Sequence, residues 1–268
     1  MTLNEAAKIL SEAGIESARD EARIIFHKIG GIPRHELVCS TVRADSEAVI
    51  SAVSRRAERE PLQYIIGECD FYRESYLVTP DCLIPRSDTE ILVDFAVNNI
   101  PDGAHFIDLC TGSGCIALSV LNNTGKTHAT AVDISDSALA VARKNAERLG
   151  LCDRIDFICR DALKSRVADR VFAVLSNPPY VADGCYEGLE PEIFAEPKAA
   201  FVGGEDGCDF YRALTPMYKE VIDKDGFIAY EIGYDQADAL RSIARENGMS
   251  CEIIHDLGGK DRVAVLKK

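Results

Sequence analysis

The sequence predicts an α/β protein in which a small helical bundle precedes a doubly wound, Rossmann-like sheet. From about residue 83 onwards, short apolar runs rich in β-branched residues alternate with helical runs, which is the pattern of such a sheet. Before that point the apolar spacing is helical. The 268 residues, 47% of them hydrophobic, are enough for one large domain and one small domain.

The N-terminal segment carries signals for helix starts. Thr2 with Glu5 forms a capping-box pattern, and Ser17 and Ser46 each precede another run with helical apolar spacing. We therefore expect residues 1–68 to form a helical domain, and a substrate-recognition role suits it because nothing in it has a catalytic pattern. Residues 69–82 are strand-like, with aromatic residues around a polar centre, and predict a β-hairpin linker.

Residues 83–268 carry the alternating pattern. Two strand patterns near the carboxyl terminus have no helix between them, so we expect an antiparallel hairpin at the sheet edge. The predicted strands are 105–109, 129–133, 155–159, 171–175, 226–231, 251–255 and 263–266, and the predicted helices are 91–97, 116–121, 138–149 and 237–246.

The most informative motif is Asn177-Pro178-Pro179-Tyr180, which we call the Asn177 box. It follows an apolar strand pattern, and two prolines cannot continue a strand, so it lies at the carboxyl end where open α/β sheets bind ligands. The Asn177 side-chain oxygen and the Pro178 carbonyl can each accept an N–H bond, and Tyr180 can lie against a flat group. The box therefore predicts chemistry on an amide or an exocyclic amine.

A glycine turn follows the first predicted strand of the array. Thr111, Gly112 and Gly114 come directly after that strand, where glycines let the backbone approach a ligand closely. Asp108, near the strand end, disfavours a pyrophosphate but suits a cationic or amine-bearing ligand. Cys110 stands where such turns more often have glycine, so backbone approach is expected to be slightly altered there.

Two further acidic residues end the next two strands. Asp133 lies 25 residues after Asp108, a position from which a carboxylate can bind ribose hydroxyls, and Asp161 can accept from an adenine amino group. Adenine, ribose and a cationic amino acid together describe S-adenosylmethionine. The sequence therefore predicts this cofactor at Asp108, Asp133, Asp161 and the glycine turn.

Composition excludes several classes of function. The formal net charge of −14 argues against binding dominated by phosphates, so we expect no direct nucleic-acid contact. No apolar run is long enough to span a membrane, and the amino terminus lacks a signal-peptide pattern, which predicts a cytoplasmic protein. The ten cysteines form no C-x-x-C pair, so we expect reduced thiols and no bound metal.

Several segments together resemble the release factor glutamine methyltransferases of the PrmC/HemK type, which are class I S-adenosylmethionine-dependent methyltransferases. The Asn177 box alone is shared with several amine methyltransferases. Ser87 departs from the proline that is common at this position of the family's segment 83–90. The matching segments are 59–67, 83–90, 108–114, 177–180, 196–197, 203–207, 231–233 and 259–263, which span almost the whole chain.

The resemblance implies methylation of the glutamine side-chain amide in the Gly-Gly-Gln (GGQ) loop of peptide chain release factors, in support of translation termination. It implies Asn177, Pro178 and Tyr180 as catalytic residues, and Asn177 also as a cofactor contact. The substrate would contact the whole Asn177 box, including Pro179, together with Arg86 and Glu90. Residues 83–268 would then be the methyltransferase domain, and we expect a monomer.

Two alternatives stay open at this point. A DNA or RNA amine methyltransferase uses a similar box on a flipped base, but it should have a basic recognition surface, and this chain is acidic. A non-catalytic S-adenosylmethionine-binding protein could keep the same fold. The intact Asn177 box argues against that second alternative.

Overall fold

A computed structural model describes residues 1–38 and 41–268. The chain forms two compact units. The first contains Met1–Glu68 together with the short segment Glu190–Ala195, and the second contains Cys69–Leu189 and Glu196–Lys268. Within the described residues, no helix has both the length and the apolar character that a membrane crossing requires.

The first unit is a small helical bundle around a core that includes Leu10, Ile25 and Phe26. The capping box predicted at Thr2 and Glu5 is present, because each residue bonds the backbone N–H of the other. The helices are α1 (Leu3–Glu12), α2 (Ala18–Lys28), α3 (Glu47–Ala57) and α4 (Leu62–Ile66).

A buried ion cluster joins the segment Glu190–Ala195 to these helices. Arg56 donates to Glu21 at 2.5 Å and to Glu192 at 2.9 Å, and Arg59 donates to Glu192 at 2.7 Å. The Arg56 side chain is only 7% exposed, so the two carboxylates offset the cost of burying its charge. This cluster fixes a segment that follows the Asn177 box in sequence.

The second unit begins within a hairpin of strands β1 (Glu68–Phe71) and β2 (Glu74–Leu77), which form a separate two-stranded sheet. A seven-stranded sheet follows, with the order β5-β4-β3-β6-β7-β9-β8. Its strands are β3 (His105–Leu109), β4 (His128–Asp133), β5 (Ile155–Cys159), β6 (Val171–Ser176), β7 (Ile222–Glu231), β8 (Ser250–His255) and β9 (Asp261–Lys267).

The sheet is parallel from β5 to β7, and β9 pairs antiparallel with both β7 and β8. The predicted fold class and the predicted terminal hairpin are therefore confirmed. The helices of this unit are α5 (Glu90–Asn99), α6 (Cys115–Asn122), α7 (Asp136–Leu149), α8 (Asp209–Lys219) and α9 (Ala237–Glu246). Helix α8, which has Pro216 within it, could not be predicted from the sequence pattern.

The strand order places a crevice at one point of the sheet. From β3 the chain adds β4 and β5 on one side and then crosses to add β6 on the other side. Ligands bind outside the carboxyl ends of the strands at such a reversal. Leu109 of β3 pairs with Ser176 of β6, so the glycine turn and the Asn177 box leave neighbouring strands at this edge.

Candidate functional site

A cavity of about 480 Å³ lies at the carboxyl edge of the sheet, within the second unit. This volume suits a ligand the size of a nucleoside with an attached amino acid. The sequence-predicted residues on its wall are Gly112, Asp133, Asp161, Asn177 and Pro179. Apolar wall is added by Val132, Ile134, Ala138, Ala162, Leu163, Val202 and Phe210.

The backbone of the glycine turn adopts the left-handed conformation that glycine readily permits. Gly112 has φ 55° and Gly114 has φ 81°, a region in which L side chains are disfavoured. A side chain on Gly114 would also meet the Ala142 side chain at 3.1 Å. Cys110 shares the left-handed region at φ 59°, which explains why glycine suits this position better.

Asp108 lies beneath the turn, away from the cavity wall. Its Oδ2 accepts from the Thr111 hydroxyl at 2.5 Å and from the Ala117 N–H at 3.2 Å. Burial raises the pKa of Asp108 to about 7. Its Oδ1 is also buried and has no hydrogen-bond partner among residues 1–38 and 41–268. Thr111 lines a smaller pocket beside Asn177, while Gly114 lies at the start of α6.

Asp133 and Asp161 both reach the cavity, from the ends of β4 and β5. The Asp133 carboxylate is held in place by the Gly112 and Ser135 N–H groups, each at 2.9 Å. Burial raises the pKa of Asp133, and these backbone N–H bonds oppose that shift. Asp161 accepts from the Leu163 N–H at 3.0 Å and lies 3.2 Å from the Lys164 ammonium.

The Asn177 box stands beside the cavity with its amide held in one direction. Asn177 Nδ2 donates to the Thr89 hydroxyl at 3.2 Å, and Oδ1 has no hydrogen-bond donor among the described residues, so it is available as an acceptor. Pro178 and Pro179 are buried. The Tyr180 hydroxyl points inward and donates to Glu231 at 3.3 Å, so Tyr180 does not line the cavity.

A glycine-rich segment supports the box from behind. Val181, which directly follows the box, forms two backbone hydrogen bonds with this segment. Its N–H donates to the Phe201 carbonyl, and its carbonyl accepts from the Gly203 N–H. A Cβ atom on Gly203 would lie 2.4 Å from the Pro179 carbonyl oxygen, and one on Gly207 would lie 2.2 Å from that of Tyr180. Only glycine therefore permits this close approach.

The two predicted substrate residues outside the box have different surroundings. Arg86 forms an ion pair with the buried Glu196, whose other oxygen accepts from the Ile84 N–H at 2.9 Å. Arg86 also lines the small pocket beside Asn177. Glu90 instead accepts from the Tyr72 N–H of the hairpin turn at 2.8 Å and lies on neither pocket wall.

Sequence reasoning missed several residues of the site. Asp81 and Phe210 line the cavity, but each lies in a stretch without a recognisable motif. Thr89 and Glu231 hold the Asn177 box, and both fall in the segments that carried the family resemblance. The signal for these two was therefore present, but their sequence positions do not show which partner each one contacts.

The cavity suits an adenosyl ligand with a positive charge better than a dinucleotide. Its charged wall residues are Asp81, Asp133 and Asp161 against Arg160. The Asp133 carboxylate, rigid and at the end of β4, is placed to accept from vicinal hydroxyls. The remaining wall is largely apolar, as a flat purine requires. These residues fit S-adenosylmethionine.

Comparisons with known proteins agree with this geometry. Residues 2–67 match the family model "PrmC N-terminal domain", and residues 87–203 match "Methyltransferase small domain". The chain is 35% identical to the release factor glutamine methyltransferase of Geobacter sulfurreducens, over 95% of this chain and 91% of the relative. It is 36% identical to the enzyme of the same name from Caulobacter vibrioides, over 96% and 91%.

The solved structures show the same fold. A ribosomal protein L11 methylase from Lactobacillus delbrueckii subsp. bulgaricus superimposes with a TM-score of 0.53 at 17% identity, over 71% of this chain and 83% of that one. The sequence relatives are far closer and extend over nearly the full length of both chains. This chain therefore belongs to the family of release factor glutamine methyltransferases.

Proposed function

We propose that this protein transfers a methyl group from S-adenosylmethionine to the side-chain amide nitrogen of the glutamine in the Gly-Gly-Gln motif of a peptide chain release factor. The family of the chain supports this. The observation that carries the proposal is the Asn177 amide, which is bound through Nδ2 and offers Oδ1 beside the cofactor-sized cavity.

The chemistry requires control of a poor nucleophile. The lone pair of an amide nitrogen is delocalised into the carbonyl group, so the nitrogen must be oriented before it can attack. Asn177 Oδ1 and the Pro178 carbonyl would each accept one N–H of the substrate amide and favour lone-pair density toward the methyl group. Bound S-adenosylmethionine would supply an electrophilic methyl carbon and leave as the thioether S-adenosylhomocysteine. The amide nitrogen would lose one proton to solvent after transfer, so no strong base is needed before it.

The cofactor contacts follow from the cavity wall. Asp133 would accept from the ribose hydroxyls and Asp161 from the adenine amino group, while the backbone at Thr111 and Gly112 would face the amino acid part. Gly114 and Asp108 would act through the shape of the turn, because neither reaches the cavity. Tyr180 would close the box from behind.

We infer further properties from this proposal. The helical unit would recognise the release factor, with residues 83–268 carrying the reaction. Arg86, at the pocket beside Asn177, would contact the substrate. Glu90 would serve the substrate through the hairpin that it binds. Because the substrate is a translation factor, we expect the protein in the cytoplasm, acting as a monomer and without direct nucleic-acid contact.

Methyl incorporation from labelled S-adenosylmethionine into three substrates tests the proposal. These are a release factor, the same factor with its loop glutamine changed to alanine, and double-stranded DNA. Label should enter the intact factor alone. Equal labelling of the glutamine-lacking factor would contradict glutamine methylation, and labelling of DNA would instead favour a base methyltransferase.

A further inference from the structure

Behind the Asn177 box lies a buried hydrogen-bond network, the Thr89–Glu231 relay, that consists of Asn177, Thr89, Glu231 and Tyr180. Glu231 follows Tyr230 on β7. Tyr230 pairs with Ser176, the last residue of β6, and Asn177 comes directly after it. The two strand ends therefore place Glu231 next to the box. Thr89 and Glu231 are 2% and 1% exposed, so these two members of the relay are shielded from water.

The Thr89 hydroxyl has only one proton to donate. It accepts from Asn177 Nδ2 at 3.2 Å, and it lies near enough to Glu231 to lower the pKa of that carboxyl. Glu231 Oε1 accepts from the Tyr180 hydroxyl at 3.3 Å. Glu231 Oε2 is buried and has no hydrogen-bond partner among the described residues, so it can accept the proton of a rotating Thr89 hydroxyl.

The direction of these bonds determines how the Asn177 amide is oriented. When Glu231 is ionised and takes the single proton of Thr89, the Thr89 oxygen can only accept from Asn177, so the amide NH₂ must face Thr89. Rotating the Asn177 amide by 180° would instead place its Oδ1 against the Thr89 oxygen, so that two acceptors would face each other. This rotation would also turn Oδ1 away from the position in which it accepts a substrate N–H.

We propose that Thr89 and Glu231 are positioning residues that fix the Asn177 amide with its oxygen toward the substrate glutamine. This inference rests on the proposed function and names residues that act through Asn177 without touching the substrate. The charge of Glu231 drives the arrangement, because a protonated Glu231 would itself be a donor and would leave the Thr89 proton free to bind Asn177 Oδ1.

The surroundings of Glu231 set the pH at which this charge is lost. Burial raises the pKa of Glu231 to about 7, and Asp88 raises it further, while Thr89, Tyr180 and the positive charge of Arg262 oppose the shift. Tyr211 of α8 donates to the Glu231 backbone carbonyl at 2.9 Å and not to the Glu231 carboxyl group. Turnover should therefore fall as the pH drops through about 7.

The test measures turnover, KM for the release factor and S-adenosylmethionine affinity for Thr89→Val, Thr89→Ser and Glu231→Gln. Thr89→Val should lower kcat by about 10-fold or more, because a misoriented acceptor slows the reaction. KM and cofactor affinity should change little. Thr89→Ser keeps the hydroxyl and should regain most of the turnover. Thr130→Val, which removes a buried hydroxyl from β4, serves as the matched control.

The pH profile provides a second readout that a purely structural role would not change. The kcat of the wild-type protein should rise through an apparent pKa near 7, and Glu231→Gln should lose this limb. Equal turnover in Thr89→Val and Thr89→Ser, or an unchanged limb in Glu231→Gln, would overturn the inference. Absence of methyl transfer by the wild-type protein would instead overturn the proposed function.

Discussion

Asp108 and Asp133 both lie near the carboxyl ends of strands, but they have different roles in the structure. Asp133 reaches the cavity wall, and both of its oxygens accept backbone N–H bonds, so its position is rigid. Asp108 is fully buried and stabilises the glycine turn from below through Thr111 and Ala117. The sequence shows both carboxylates at strand ends, but only the side-chain contacts separate a ligand-binding residue from one that shapes the turn.

Asp133→Ala should weaken binding of S-adenosylmethionine by about 10-fold or more, because a charge-assisted hydrogen bond contributes roughly 1.5–3 kcal/mol. Isothermal titration calorimetry measures this directly. Asp136→Ala removes the same charge from the exposed first turn of α7, off the cavity wall, and should leave the affinity unchanged. Equal losses in the two variants would show that only net charge matters.

Cys110 is strained because it has φ 59° without being glycine. Cys110→Gly should therefore be more stable than Cys110→Ala by about 0.5–1 kcal/mol, since relief of the left-handed conformation exceeds the entropy that glycine loses on folding. Both variants lose the thiol, so their difference isolates the backbone. Urea unfolding gives the comparison, and a more stable alanine variant would disprove backbone strain at this turn.

At the scale of elements, the strands of the sheet were predicted well, because short apolar runs rich in β-branched residues have few alternatives to a strand. The predicted range 171–175 corresponds to β6 and 226–231 to the end of β7. Helix α8 was missed since Pro216 interrupts its helical signal. The supporting segment around Gly203 has no regular structure, so no periodicity could show that it packs behind the Asn177 box.

Gly203→Ala should distort the Asn177 box, because its Cβ would lie 2.4 Å from the Pro179 carbonyl oxygen. Real Cβ atoms do not approach a backbone atom this closely, so the box must shift and turnover should fall by about 10²-fold. Gly188→Ala meets nothing within 4 Å and is the matched control. Steady-state kinetics measures the turnover of both variants. Equal turnover would show that this segment does not hold the Asn177 box in place.

For the whole molecule, the sequence alone predicted the fold class, the family and the wall residues Asp133, Asp161 and Asn177. It could not predict the inward hydroxyl of Tyr180 or the hairpin contact of Glu90, because both depend on partners that are distant in sequence. Motifs mark the positions where chemistry is concentrated, whereas the direction of each side chain is determined by packing between strands.

The buried carboxyls also give the folded protein a characteristic pH dependence. The pKa of Asp108 is about 7 in the folded protein against 3.8 for an ordinary aspartate, so the folded state binds more protons between these values. Stability should therefore fall as the pH rises from about 4 to about 7, by up to about 4 kcal/mol from this residue. The exposed Asp45 and Asp206, whose pKa values are lowered to about 2, act only at lower pH.

Urea unfolding of the ligand-free protein at several pH values measures this slope. Asp108→Asn cannot ionise, so its free energy of unfolding should depend less steeply on pH across the same window. Thr127→Val removes a buried hydroxyl of the second unit that has no hydrogen-bond partner in the part of the chain that the structure describes, and it should keep the wild-type slope. An Asp108→Asn slope equal to that of the wild type would mean that Asp108 is ionised throughout.

The central claim is that Asn177 orients a release factor glutamine for methyl transfer. Mass spectrometry of the loop peptide, after incubation with S-adenosylmethionine, tests it most directly when wild-type protein and Asn177→Ala are compared. We predict one methyl group on the glutamine side-chain nitrogen, formed about 10²-fold or more slowly by Asn177→Ala although that variant still binds the cofactor. A methyl group on another residue, or an unchanged rate in Asn177→Ala, would contradict the claim.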